Sequence, residues 1–152
     1  ELQKEMPNTP KILLLWVGPG SIEPKSTQTF AESGETTKAA YYAKQEPKDA
    51  AEFEKWVDEA KSLGAIGTGP SAELTDHGDQ SYTDLVKPEM NKLTHDKGLL
   101  VHVYTVDEPV DFDKVMKAGV DGIFTNRAAE LLKFYKRWPS SSVQDLLNDY
   151  KY

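Results

Sequence analysis

Four short apolar runs, separated or followed by helical patterns, constrain this chain more than any other feature. The run "KILLLWVG" (residues 11–18) has no polar alternation, as expected of a strand buried on both faces. "GAIGTGP" (64–70) is shorter and rich in glycine. "GLLVHVYTV" (98–106) carries β-branched and aromatic residues throughout, and "VDGIFTN" (120–126) closes the series. In "DAAEFEKWVDEAKSLG", Ala50, Phe53, Trp56, Val57, Ala60 and Leu63 share one helical face that ends at Gly64. "YTDLVKPEMNKLTHDKG" repeats the pattern through Leu85, Val86, Met90 and Leu93, with Pro88 either early in the helix or kinking it. Asp111 reads as the N-cap of "FDKVMKAG", with Gly119 past its end. "AAELLKFYKRW" makes a final amphipathic helix stopped by Pro139, and the tail "SSSVQDLLNDYKY" is expected to add a short helix. Such βαβα alternation implies a parallel sheet or part of a barrel.

A chain of 152 residues suits one cored domain and is short for two. A net charge of −7 without a basic stripe argues against nucleic-acid binding. No apolar run approaches the roughly 20 residues of a membrane span. The absence of cysteine excludes disulfides and thiolate metal sites. Glu1 stands where a methionine would begin a chain, which reads as a processing boundary with residues upstream of it. Nothing like a signal peptide precedes the first strand, and the compartment is left open, a secreted or periplasmic site included. The polar stretch "GPGSIEPKSTQTFAESGETT" (18–37) follows a strand, where long loops of α/β folds often line a ligand site.

The stretch "KAGVDGIFTN" (117–126) shows how one strand is introduced. Gly119 can take the left-handed conformation that ends a helix. Asp121 can bond backbone amides in the turn, and Gly122 allows close approach of a neighbour. Ile123 and Phe124 are expected in the core, while Thr125 and Asn126 emerge at the strand's C-terminal end, where parallel α/β folds bind ligands.

Taken with "GLLVHVYTVDE" and the preceding "LTHDKG", this segment resembles the C-terminal signature of glycerophosphodiester phosphodiesterases. The resemblance is densest over residues 85–135 and looser over 1–70, where it rests on "KILLLW" and "AIGTGP". Tyr104 stands where the family usually has tryptophan, followed by matching Thr105 and Val106. Asp107 replaces the family's usual asparagine, and Asn126 its usual aspartate. The fold implied is an α/β, (β/α)8 TIM-type barrel of the PLC-like phosphodiesterase type, which typically needs about 250 residues. Residues 1–138 would be its C-terminal half and 139–152 a tail.

By resemblance, the complete enzyme cleaves a glycerophosphodiester into glycerol 3-phosphate and an alcohol. It would use a calcium or magnesium ion held by carboxylates, with two histidines as general acid and base. In the family those groups begin with a His-Arg-Gly on the first strand, and this chain contains no such tripeptide. No catalytic residue and no metal ligand is therefore carried onto it. Tyr104 alone is carried over, as a wall of the substrate pocket.

Other residues have bland readings beside sharp ones. His102 shares a face with Tyr104 and is more often a hydrogen-bonded core residue than a catalytic one. His95 ends a helix, where its charge suits the C-terminus. His77 with Asp76 and Asp79 could hold a hard metal, but "DHGD" is more often a polar turn. "GTGPS" could present amides to a phosphate, although a plain turn is favoured. Tyr41, Tyr42 and Trp56 read as core or interface. Two rival architectures stand beside the half-enzyme: a non-catalytic half-barrel binding or assembly module, and a doubly wound domain with helices on both faces of an open sheet. A half-barrel leaves edges and an apolar interior bare, so self-association or pairing with the missing half is expected.

Overall fold

The computed structural model describes residues 2–15, 29–75, 84–139 and 141–149. Four strands, β1 (Ile12–Leu15), β2 (Gly67–Pro70), β3 (Leu100–Val103) and β4 (Gly122–Ile123), form one parallel sheet in sequential order. After a short α1 (Leu2–Glu5), the crossovers carry α2 (Lys38–Ala43), α3 (Ala50–Ser62), α4 (Pro88–Asp96) and α5 (Pro109–Lys117). Helices α6 (Ala128–Phe134) and α7 (Val143–Asp149) follow the last strand. Sequential parallel strands alternating with helices are the arrangement of a (β/α)8 barrel, here in part.

The helices cover one face of the sheet. Leu13 and Leu15 pack with Phe53, Val57, Ala60, Leu85 and Leu99, while Val103 and Ile123 pack with Val86, Phe112 and Val115. Residues one position away point to the other face. There Leu14 is 53% exposed and Leu100 42% exposed. The expectation of a first strand buried on both faces is thus corrected: among the described residues nothing covers the second face. The doubly wound alternative, with helices on both faces, is not what forms.

Strand β2 runs through "GTGP", so the turn and phosphate-nest readings of this stretch are corrected. Its open-face positions are glycines because neighbours crowd them. A Cβ on Gly69 would lie 2.7 Å from Leu14 Cδ2, and one on Gly67 would lie 2.7 Å from the Leu100 carbonyl oxygen. The backbone amide of Ser71, next along, donates to the Leu15 carbonyl at 2.9 Å.

Local signals set most helix limits. Asp49 caps α3 by accepting from the Glu52 amide at 2.8 Å, and Glu52 in turn accepts from the Lys48 amide, just before the cap, at 2.8 Å. Trp56 is half-buried against Phe53's cluster and the Tyr41–Tyr42 pair, whose rings also meet Phe30, so these aromatics are core. Leu63 and Ala50 are exposed at the helix ends. Pro88 is the first residue of α4, and Leu85 and Val86 are buried in the extended segment before it. Helix α5 starts at Pro109 behind Glu108, so Asp111 is not its cap. Asp111 is buried in the first turn and accepts from Thr75 N at 3.0 Å and Oγ1 at 2.7 Å. Gly119, at φ 88°, ends the α5 segment as expected. Helix α6 stops at Phe134 rather than at Pro139, because Lys136 turns the chain at φ 55°.

Candidate functional site at the C-terminal ends of β3 and β4

Tyr104 follows β3 directly, bridges to Ser71 in parallel fashion and is half-buried. It stands at the C-terminal end of the sheet, on the same face as His102 two residues earlier. His102 is half-buried, and its ring centroid lies 6.2 Å from that of Phe124. The ring packs against Gly122, where a Cβ would overlap His102 Cδ2 and come 3.0 Å from Nε2. This close approach explains the second glycine of "GVDGI". His102 Nδ1 is buried without a hydrogen-bond partner among the described residues, so the hydrogen-bonded core reading is corrected. Phe124, expected in the core, is 47% exposed on the same open face.

Beyond the two strands, Asp107 joins their loops. Its Oδ1 accepts from the Asn126 amide at 2.7 Å and from Thr125 Oγ1 at 3.0 Å, and its Oδ2 accepts from Asn126 Nδ2 at 2.9 Å. Partial burial pushes the Asp107 carboxyl up, but the Asn126 side chain and amide, the Thr125 hydroxyl and the Arg127 charge outweigh it and hold the group below the usual carboxylate range. Alongside, Arg127 pairs with Glu108 at 3.1 Å. Asp107 and Asn126 exchange the asparagine and aspartate that the resemblance leads one to expect, and here the two side chains hydrogen-bond to each other. Their signal was reciprocity: an amide and a carboxylate had traded places.

The opposite end of the strands holds a second carboxylate. Asp121 Oδ2 accepts from the Val101 amide at 2.8 Å and lies 2.7 Å from His95 Nε2. Burial again pushes this carboxyl up, and the Val101 amide and the His95 ring outweigh that and lower it. The Asp121 carboxylate therefore bonds the backbone of a strand 20 residues away and not the amides of its own turn, which corrects the turn reading.

The carboxylates near Tyr104 do not fit a divalent cation. Asp107 is engaged on both oxygens and Glu108 is paired with Arg127. Among the described residues no three His, Asp or Glu side chains gather as metal ligands. His77, Asp76 and Asp79 lie outside the described residues, as does the 18–28 portion of the long polar connection. An ionised, fully engaged Asp107 is suited to holding two loops together, not to carrying protons at neutral pH.

The glycerophosphoryl diester phosphodiesterase family profile matches residues 21–130. The chain belongs to that family. The match reaches well upstream of the motif pair at residues 85–135. A solved structure from Silicibacter pomeroyi DSS-3, provisionally named a glycerophosphoryl diester phosphodiesterase, is similar at 22% identity with a TM-score of 0.49. That similarity covers 88% of this chain and 34% of the other, so this family member spans about a third of that relative's length. No curated protein matches the chain. No described helix is long and apolar enough to cross a membrane.

Proposed function

We propose that this family member is the C-terminal half-barrel, residues 1–138 with a tail at 139–152, of an enzyme that hydrolyses a glycerophosphodiester to glycerol 3-phosphate and an alcohol. Tyr104 forms an aromatic wall of the substrate pocket, and Asp107 holds the flanking loops in place through Asn126 and Thr125. The acid, the base and the carboxylates for a calcium or magnesium ion come from outside this chain. Support comes chiefly from the family match over residues 21–130, joined to the position of Tyr104 beyond β3, at the ligand end of a parallel barrel.

The alternative is a non-catalytic binding or assembly module, consistent with no three His, Asp or Glu side chains gathering as metal ligands among the described residues. The open sheet face suits association with the remaining half or with a second copy, and a monodisperse monomer in sedimentation would count against that. The decisive assay follows glycerol 3-phosphate release from glycerophosphocholine with calcium or magnesium. The chain alone should be inert, and activity should appear when the upstream half of a related barrel is supplied. Turnover by the chain alone would overturn the proposed division of labour, and no gain on complementation would favour the module. In the active assembly, Tyr104→Ala should lower kcat/KM about tenfold through loss of an aromatic contact. Unchanged kinetics would remove Tyr104 from the pocket.

A further inference from the structure

The end of α6 and the turn after it carry eight consecutive exposed residues, 132–139. Their sequence, "LKFYKRWP", holds three cations and no carboxylate, in a chain whose net charge is −7. Its large apolar members are open to solvent: Leu132 37%, Phe134 38%, Tyr135 39% and Trp138 47%. We propose that this segment is a docking surface for an anionic lipid bilayer, independent of the catalytic reading above.

The segment is shaped, not loose. Leu131 seats α6 on the core, and Phe134 meets the buried ring of Phe112 at 5.7 Å. The turn at Lys136 is closed by its amide on the Lys133 carbonyl at 2.9 Å and by the Arg137 amide on the Leu132 carbonyl at 2.8 Å. Trp138 thereby returns beneath Lys133, whose ammonium lies 5.4 Å from the ring centroid. Tyr135 stacks edge-on against Phe134 at 5.7 Å, and its hydroxyl contacts Met116 Sδ, extending the patch onto α5.

Charge complementarity selects the occupant. Lys133 shares its charge with Glu130 at 3.0 Å, but Lys136 and Arg137 have no carboxylate partner among the described residues. Asp145, the nearest acid on α7 in sequence, is engaged by Ser142 N at 3.1 Å and Oγ at 2.6 Å. At physiological salt, exposed charges more than about 8 Å apart are largely screened from one another. Exposed tryptophan and tyrosine beside long cations suit the headgroup layer of a bilayer.

The test is co-sedimentation of the full chain with vesicles of phosphatidylcholine alone, or with about one-third phosphatidylserine. Binding should appear only with phosphatidylserine and vanish near 0.5 M salt, where screening falls to roughly 4 Å. Replacing Lys136 and Arg137 together by glutamine should weaken partitioning roughly 30-fold. Trp138→Ala should weaken it about tenfold. These side chains are exposed, and circular dichroism checks that the variants fold. Leu14→Ser with Phe124→Ser, on the bare sheet face, should leave binding unchanged. Equal binding to neutral vesicles, no binding at all, insensitivity to the cation and Trp138 changes, or loss of binding in the sheet-face variant would each overturn the proposal. Activity is not a readout, so this result stands or falls apart from the phosphodiesterase reading.

Discussion

The two faces of the sheet are built from alternate residues of the same strands, yet they live under different rules. On the helix side, Leu15 and Val103 are buried with Phe53, Phe112 and Val115. At open-face positions of the same strands, Leu14 and Leu100 are about half exposed, with glycines between them. Backbone pairing is common to both faces, so side-chain burial makes the difference. The helix face holds the buried apolar clusters, and the open face leaves Leu14, Leu100 and Phe124 to solvent.

The largest break in that comparison should come from matched truncations. Phe112→Ala, at a fully buried ring, should cost about 3–5 kcal/mol. Phe124→Ala, on the open face, should cost less than about 0.5 kcal/mol. Urea unfolding of the two variants measures both, and equal losses would mean that the open face is covered. Next comes Asp111→Ala, which leaves the Thr75 amide and hydroxyl without their buried acceptor and should cost about 1–3 kcal/mol.

Gly122→Ala sharpens the comparison from the other side. The added methyl meets the side-chain ring of His102, which must shift to admit it, so the cost should be about 1 kcal/mol. Adding His102→Ala should return most of it. If the double variant is no better than the single one, the close approach of ring and glycine is not what requires Gly122.

The smallest effect should be on pH dependence. Asp107 and Asp121 both lie below the usual aspartate value in the folded chain. A depressed carboxyl contributes stability that is present above its unfolded value, about 3.9, and is lost as pH falls through the lower folded value. The urea midpoint should therefore decline below about pH 4, and Asp107→Asn or Asp121→Asn should each flatten that decline. Both groups keep part of their contact with solvent, which screens them, so the change should be modest. An acid limb of unchanged slope in both variants would refute the role of these two carboxylates.

Much of the fold was legible in residue order. Four apolar runs gave four strands, Pro88 opened a helix, and the "GVDGIFTN" signature led to the family. These signals are local: backbone dihedral limits, capping partners and hydrophobic periodicity act within a few residues of one another. The site was less legible. Tyr104 was found through the resemblance, but the Asp107–Asn126 contact spans 19 positions and Asp111–Thr75 spans 36. No periodicity encodes such a meeting. For the same reason Asp111 looked like a cap, Phe124 looked like core, and the first strand looked buried on both sides.

By itself, then, the amino-acid order determined which segments become strand or helix, where glycine was needed, and which family the chain joins. Only the tertiary structure decided which face of each strand meets the helices, which carboxylate serves which loop, and that "LKFYKRWP" remains outside the core. Burial and pairing are properties of the assembled neighbours. A strand's alternation names two faces without saying which one will be covered.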